Sequence, residues 1–327
     1  MFMDFDTYYD IYRRPVEKEI KKAFAKRKPG SLYLPADYIL SSPGKRLRPV
    51  LVLASADAAG ASPSSCLNAA VAVEMLHNFT LVHDDIMDNA DTRRGLPTLH
   101  VKYDISTAIL AGDSLLAIAY EYLLKDAGAK GGRAVSSFTT GLIEVCEGQS
   151  LDKEFELRQA VKVSEYITMI TKKTAAMMQM CCELGAILSG AKEVYIQKMA
   201  DYGRSLGIAF QIQDDLLDLL GDSGNTGKKC GGDLIEGKKT FLFLTALKNS
   251  SGADKKDLEL FIRNKGISES EINHFRDIFE RTGAIAKSKK EIVRYSTKAL
   301  ENLSIIKNKG KREFFHELTF SLIRREK

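Results

Sequence analysis

Apolar residues recur three and four positions apart along most of the chain. In Ala108–Leu124 the positions Leu115, Leu116, Ile118, Ala119 and Leu123 keep that spacing, and Val194–Leu220 behaves likewise, which predicts long helices. No comparable run shows the alternation and hairpin turns of a sheet. All seven prolines (Pro15, Pro29, Pro35, Pro43, Pro49, Pro63 and Pro97) lie in the first third of the chain. Proline inside a helix costs about 3 kcal/mol, so everything after Pro97 is free to run as long helices. Glycine and polar clusters at Gly128–Gly132, Gly221–Gly232 and Asn249–Gly252 are the expected connections. The expected fold class is all-α: one domain over residues 1–327, a bundle of long, mostly antiparallel helices.

Composition narrows the picture. The chain has 327 residues, 44% hydrophobic and 28% charged, with no stretch of eighteen uninterrupted apolar residues. A soluble globular protein is expected, and disordered, collagen-like and integral membrane classes are excluded. Met1–Lys28 mixes Asp, Tyr, Arg and Lys without the apolar core of a secretion signal, so the expected compartment is the cytoplasm. Cys66, Cys146, Cys181, Cys182 and Cys230 form no CxxC pair and no disulfide ladder, and are read as reduced thiols. Met177, Met178 and Met180, beside two of them, read as core or dimer-face residues. The net charge of +5 is concentrated after Ser251. That basic segment lacks the interleaved aromatics of a nucleic-acid surface, so no nucleic-acid partner is expected.

The candidate chemistry lies in an acidic pattern that occurs twice, Asp84-Asp85-Ile86-Met87-Asp88 and Asp214-Asp215-Leu216-Leu217-Asp218. Positions four apart share a helix face, so Asp84 with Asp88, and Asp214 with Asp218, project side by side. His77 and Gln211 fall upstream on the same faces. Both flanks are strongly apolar, which predicts largely buried helices whose carboxylates need cations. An all-oxygen donor set selects Mg2+ over zinc or copper, and Mg2+ is usually shared between carboxylates and substrate phosphates. Short cationic groups suit the phosphate oxygens: Gly44-Lys45-Arg46-Leu47-Arg48-Pro49, Arg93-Arg94, Lys173-Thr174, Gly227-Lys228-Lys229 and Gly237-Lys238-Lys239. Taken singly, each reads first as surface charge.

In this order the motifs resemble the trans-isoprenyl diphosphate synthases, or polyprenyl synthetases, over about 200 residues from Gly44 to Thr240. The match runs from Gly44–Pro49 through Glu74–His77, His83–Asp88 and Arg93-Arg94-Gly95. It continues through Gly148-Gln149-Ser150-Leu151-Asp152, Lys173-Thr174-Ala175 and Phe210–Asp215 to Lys228 and Gly237–Thr240. Pro43 departs from it, standing where many members have a second glycine. The resemblance implies the type I isoprenoid synthase fold, with helices around a deep central cavity, and a homodimer.

It also implies site roles. Asp84, Asp85, Asp88, Asp214, Asp215 and Asp218 would bind three Mg2+ that hold an allylic diphosphate (dimethylallyl, geranyl or farnesyl). Arg93, Lys173 and Lys238 would contact that diphosphate, Lys228 belongs to the same substrate-binding set, and Asp152 is a further candidate. Lys45, Arg48, His77 and Arg94 would hold isopentenyl diphosphate, and Thr174 and Gln211 would lie near the developing carbocation. Phe79 and Thr80, just before the first triplet, follow the geranylgeranyl pattern of product-length residues; farnesyl and longer products are the alternatives. A class I terpene cyclase or squalene-type synthase usually carries a different second metal motif, and a non-catalytic helical subunit usually loses one triplet. Both triplets are intact here.

Overall fold

The computed structural model describes residues 4–221 and 230–323. They form an all-α structure in two compact units. The first takes the chain up to Leu142 with Met180–Ala200 and Ile305–Phe314; the second takes Ile143–Gln179, Asp201–Ser304 and the residues from Phe315 on.

In the first unit, α1 (Phe5–Ile20), α2 (Gly30–Leu40) and α3 (Leu47–Ala58) lead to α4 (Leu67–Met87), which packs along α6 (Ile105–Ala127). The middle of α4 is buried all round from Val71 to Leu76. Small residues on both helices, among them Ala69, Ala70, Ala108 and Ala111, are fully covered and let the two backbones approach. The start of α4 lacks a cap of its own. Asp126, near the end of α6, supplies one by accepting from Ala69 N at 2.8 Å and Asn68 Nδ2 at 2.7 Å. The helix stops at Met87 because Asp88 caps it and Asn89 turns into the left-handed region at φ 50°.

Between α4 and α5 (Leu99–Lys102) the sequence reading missed a small hairpin, β1 (Thr92–Arg93) paired with β2 (Leu96–Pro97). Its two turn residues, Arg94 and Gly95, both have positive φ, 54° and 76°, the geometry whose twist matches paired strands. The stretch 105–157 is apolar enough, by length and composition, to cross a membrane, and 44% of its most apolar window is buried inside the protein. Within that stretch the expected Gly128–Gly132 connection is a single tight turn before α7 (Gly131–Leu157).

The second unit is built on the later part of α7 and on α8 (Val163–Ile170), the latter part of α10 (Glu193–Leu220), the short α11 (Gly232–Ile235) and α12 (Phe241–Asn249). It is completed by α13 (Gly252–Asn264), α14 (Ile272–Arg281) and α15 (Ala284–Asn302). Its core is aromatic: Phe243 stacks on Phe261 with centroids 4.3 Å apart, and Phe275 lies 5.6 Å beyond. Such pairs contribute about 0.5–1.5 kcal/mol each beyond the area they bury. After α8 the chain makes one wide π-helical turn, Thr171–Ala175, before α9 (Ala176–Ser189). Two glycines admit that turn. A Cβ on Gly148 would lie 2.1 Å from Lys173 N, and one on Gly207 2.5 Å from Ala175 Cα, so only hydrogen fits at either place.

Candidate active site

The first unit gathers one set of the expected residues. Arg46 is the left-handed residue before α3 and is buried, donating from Nη1 to Glu74 at 2.8 Å and from Nη2 to the carbonyls of Leu40 and Ser42. It anchors the basic loop, while Lys45 beside it stays exposed. Arg48 donates to His77 Nε2 at 3.1 Å. Burial and the surrounding Arg48, Arg94, Arg93 and Arg46 hold the His77 ring well below its ordinary value, so it is a neutral acceptor at Nε2. Arg94 closes the same loop, donating to the Pro43 carbonyl at 2.8 Å. A Cβ on Gly44 would meet Arg94 Nη1 at 2.7 Å. Proline at position 43 therefore still offers a carbonyl to Arg94, and Lys45 and Arg48 stay beside it.

Asp84 is half-buried and Asp88 exposed, whereas Asp85 between them is buried and accepts from Arg93 Nε and Nη2 at 2.6 Å. Burial pushes the Asp85 carboxyl up, although Arg93 pulls the other way. Upstream, the Phe79 ring packs on His83 with centroids 4.6 Å apart, and His83 Nδ1 is 3.0 Å from the Phe79 carbonyl. Gly112 makes room for that imidazole, since a Cβ there would sit 2.5 Å from His83 Cε1. Thr80 turns its hydroxyl back to the His77 carbonyl at 2.8 Å.

The second unit holds the other set around a cavity of about 110 Å3 lined by Asp152, Lys173, Thr174, Gln211, Asp215 and Lys238, among others. The π-helical turn puts Lys173 and Thr174 on its wall. Lys173 pairs with Asp152, and Thr174 Oγ1 donates to Gln211 Oε1 at 2.7 Å. Gln211 Nε2 in turn donates to Asp215 Oδ1 at 3.0 Å, and the Tyr166 hydroxyl donates to Asp215 Oδ2. As in the first triplet, the middle aspartate is buried and tied to protein, while Asp214 and Asp218 are half-exposed. Asp218 Oδ2 accepts from Asp233 N at 3.0 Å.

Sequence reasoning missed Tyr166 and Asp233. Tyr166 comes from a helix distant in sequence and carries no local signal; the Gly231-Gly232-Asp233 bend beside the second triplet was the available hint for Asp233. Lys238 lies 3.4 Å from Asp233 and 2.7 Å from Glu236. Burial works against its ammonium, yet those two carboxylates outweigh it and raise the group above its ordinary value. Lys239 also lines the cavity and is held by donating to the Phe155 carbonyl at 2.8 Å in the last turn of α7. Lys228 lies outside the described residues.

Among the described residues, no three acidic, histidine or cysteine groups are placed to cage a metal ion by themselves. The outer carboxylates of each triplet are less buried than the middle one and are hard oxygen donors, two to a helix end. That set fits Mg2+, which keeps open positions for water and phosphate when one or two carboxylates hold it. Without a cation the second set is strained electrostatically: burial, with Asp233 and Asp214 nearby, pushes Asp215 up to about 8, and Asp233 rises to about 6. Folded Asp215 thus keeps its proton to higher pH than the unfolded chain does. Between the ordinary carboxylate value and that of Asp215 the folded state binds more protons, so stability falls as pH rises. In a chelator, the melting temperature is expected to drop between about pH 5.5 and about pH 8.5, and Asp215→Asn to flatten the slope. An unchanged slope in that variant would contradict the assignment.

Comparison with known proteins shows the family. Residues 29–279 match the family model described as polyprenyl synthetase. The chain is 39% identical over 313 residues to the geranylgeranyl pyrophosphate synthase of Geoglobus acetivorans, covering 95% of this chain and 96% of that one. It is 40% identical over 281 residues to the geranylgeranyl diphosphate synthase of Sulfolobus acidocaldarius, covering 85% of each. The crystal structure of geranylgeranyl pyrophosphate synthetase from Pyrococcus horikoshii superposes with a TM-score of 0.91 at 34% identity over 97% of both chains. By the extent of the family match and of these identities, the chain belongs to the polyprenyl synthetase family.

Proposed function

We propose that this protein is a Mg2+-dependent prenyltransferase that joins isopentenyl diphosphate head-to-tail to an allylic diphosphate, making linear all-trans geranylgeranyl diphosphate as a cytoplasmic homodimer. The observation that carries the reading is that both complete aspartate triplets, with Lys173, Thr174 and Gln211 arranged around the second, occur in a chain this similar to proteins named for that product.

The reaction begins by breaking an allylic carbon–oxygen bond, so the site must favour charge separation over the intact ester. Asp84 and Asp88, with Asp214 and Asp218, would hold Mg2+, while Asp85 and Asp215 fix the geometry of each triplet. Bound Mg2+ supplies Lewis-acid stabilisation of the departing diphosphate. Arg93, Lys173 and Lys238 add cationic contacts to the same leaving group. Lys45, Arg48 and Arg94 bind the isopentenyl diphosphate. His77, neutral and accepting from Arg48, orients that guanidinium without adding a competing charge. The Thr174 hydroxyl donates its hydrogen bond to Gln211 Oε1, which turns the lone pairs of the Thr174 oxygen toward the allylic cation. Diphosphate released in the first step is the base for the final proton.

Phe79, buttressed by His83, sets the depth available to the growing chain, and Thr80 flanks it. Phe79→Ala is expected to lengthen the product by at least one five-carbon unit. Unchanged chromatographic length would remove Phe79 as the floor. The overall reading is tested by supplying purified protein with Mg2+, isopentenyl diphosphate and, separately, dimethylallyl, geranyl and farnesyl diphosphates. A twenty-carbon alcohol after dephosphorylation is expected; a cyclised hydrocarbon or no product would reject the reading.

A further inference from the structure

Asp215 is held at both of its carboxylate oxygens. Gln211 Nε2 donates to Oδ1 at 3.0 Å, and the Tyr166 hydroxyl donates to Oδ2. Tyr166 comes from α8, is only 3% exposed, and sets its ring against Phe241 with centroids 6.3 Å apart. Phenylalanine at position 166 would make that ring contact equally well. A buried phenol facing a buried carboxylate carries a desolvation cost that a phenylalanine with a leucine would avoid. Packing therefore gives no reason for the hydroxyl.

Its place on the cavity wall supplies one. Tyr166, Thr174, Gln211 and Asp215 all line the same cavity, and three hydrogen bonds join them in a row. The row has a direction. A carboxylate only accepts, so the end of Gln211 that faces Asp215, one helical turn further on, is its NH2. The amide oxygen then faces Thr174 and accepts from its hydroxyl at 2.7 Å. Thr174 has one proton to donate, so its lone pairs turn away from the amide. With the Gln211 amide turned over, the row reverses: NH2 meets the Thr174 oxygen, and the hydroxyl proton swings out. Among the described residues, Tyr166 and Gln211 are the hydrogen-bond donors to the Asp215 side chain. Without the phenol the carboxylate is free to rotate, and Gln211 loses the group that fixes which way round it lies.

We propose that Tyr166 is a positioning residue for prenyl transfer: by pinning Asp215 it fixes the Gln211 amide and, through it, the direction of the Thr174 hydroxyl. When the bond from C1 to the diphosphate oxygen breaks, both electrons leave with the diphosphate and the allylic carbons become positive. A hydroxyl held with its oxygen toward them stabilises that charge; one that points its proton at them opposes it. Tyr166 acts through Asp215 and Gln211 and not on the substrate. The inference rests on the prenyltransfer reading, and its test keeps the two apart.

The test uses full-length wild type, Tyr166→Phe, Thr174→Val and the double variant, each with Mg2+, isopentenyl diphosphate and farnesyl diphosphate, in single turnover and in steady state. Tyr166→Phe is expected to slow the single-turnover rate about 10- to 100-fold, the usual cost of removing a supporting hydrogen bond. Both KM values should change by less than about threefold, and the melting temperature without ligand by less than about 5 °C. In Thr174→Val no hydroxyl is left to direct, so adding Tyr166→Phe should slow that variant by less than about twofold. A Tyr166→Phe rate equal to wild type would overturn the proposal. So would an equal slowing in the Thr174→Val background, since Tyr166 would then act by another route. A larger drop in melting temperature, or failure to fold, would overturn it by making the hydroxyl structural. If wild type itself elongates no allylic diphosphate, the functional reading fails; if wild type is active and the two substitutions act independently, only the role of Tyr166 fails.

Discussion

Replacing Asp84 by alanine is expected to lower kcat about a thousandfold while leaving the melting temperature nearly unchanged. Metal stabilisation of transition-state charge is worth several kcal/mol, and about 4 kcal/mol corresponds to three powers of ten in rate. The fold should tolerate the change because Asp84 is half-buried at the end of α4, where it is not part of the core. Asp85→Ala is the contrasting case: it strands Arg93 and empties a buried site, so activity and stability should fall together. The split is read from steady-state kinetics at saturating Mg2+ alongside thermal unfolding. Retention of more than about a tenth of wild-type kcat in Asp84→Ala would remove this carboxylate from the metal site.

The largest effect on stability is expected at Arg46. Arg46→Met fills most of the volume but leaves the Glu74 carboxylate, 2% exposed, without its cation, and leaves the carbonyls of Leu40 and Ser42 without a donor. Breaking a buried pair from one side costs about 3–5 kcal/mol. For a chain of this size that is roughly a 10 °C loss in melting temperature. The basic loop should loosen too, raising KM for isopentenyl diphosphate more than it alters kcat. A melting temperature within about 2 °C of wild type would show that Glu74 finds another partner. Although it sits between two residues assigned to substrate, Arg46 works for the fold.

The helices, the two triplets and the basic clusters were legible because each is written in local sequence: apolar spacing, the absence of proline after Pro97, and acidic residues four apart. The division of labour inside the motifs was not. Nothing in Asp84-Asp85 distinguishes the half-buried carboxylate from the fully buried one tied to Arg93, because that depends on which way the helix end faces. Likewise Lys238 and Lys239 both line the cavity, but only Lys239 also donates to the end of α7. Tyr166 reaches Asp215 across 49 positions of chain, and Glu74 reaches Arg46 across 28. Such pairings exist only once helices have packed. The hairpin at Thr92–Pro97 went unread because each strand has only two residues, too short to show alternation.

The wide turn at Thr171–Ala175 is, in register, one residue more than an ordinary helix would need. Deleting a single residue there would give a smoother rod, but it would swing Lys173 or Thr174 about 100° around its axis relative to the other half. No neighbouring substitution could undo that rotation, because it is set by the count of peptide units and not by any side chain. Gain or loss of one codon in this segment is therefore tied to the chemistry more tightly than most point changes around it.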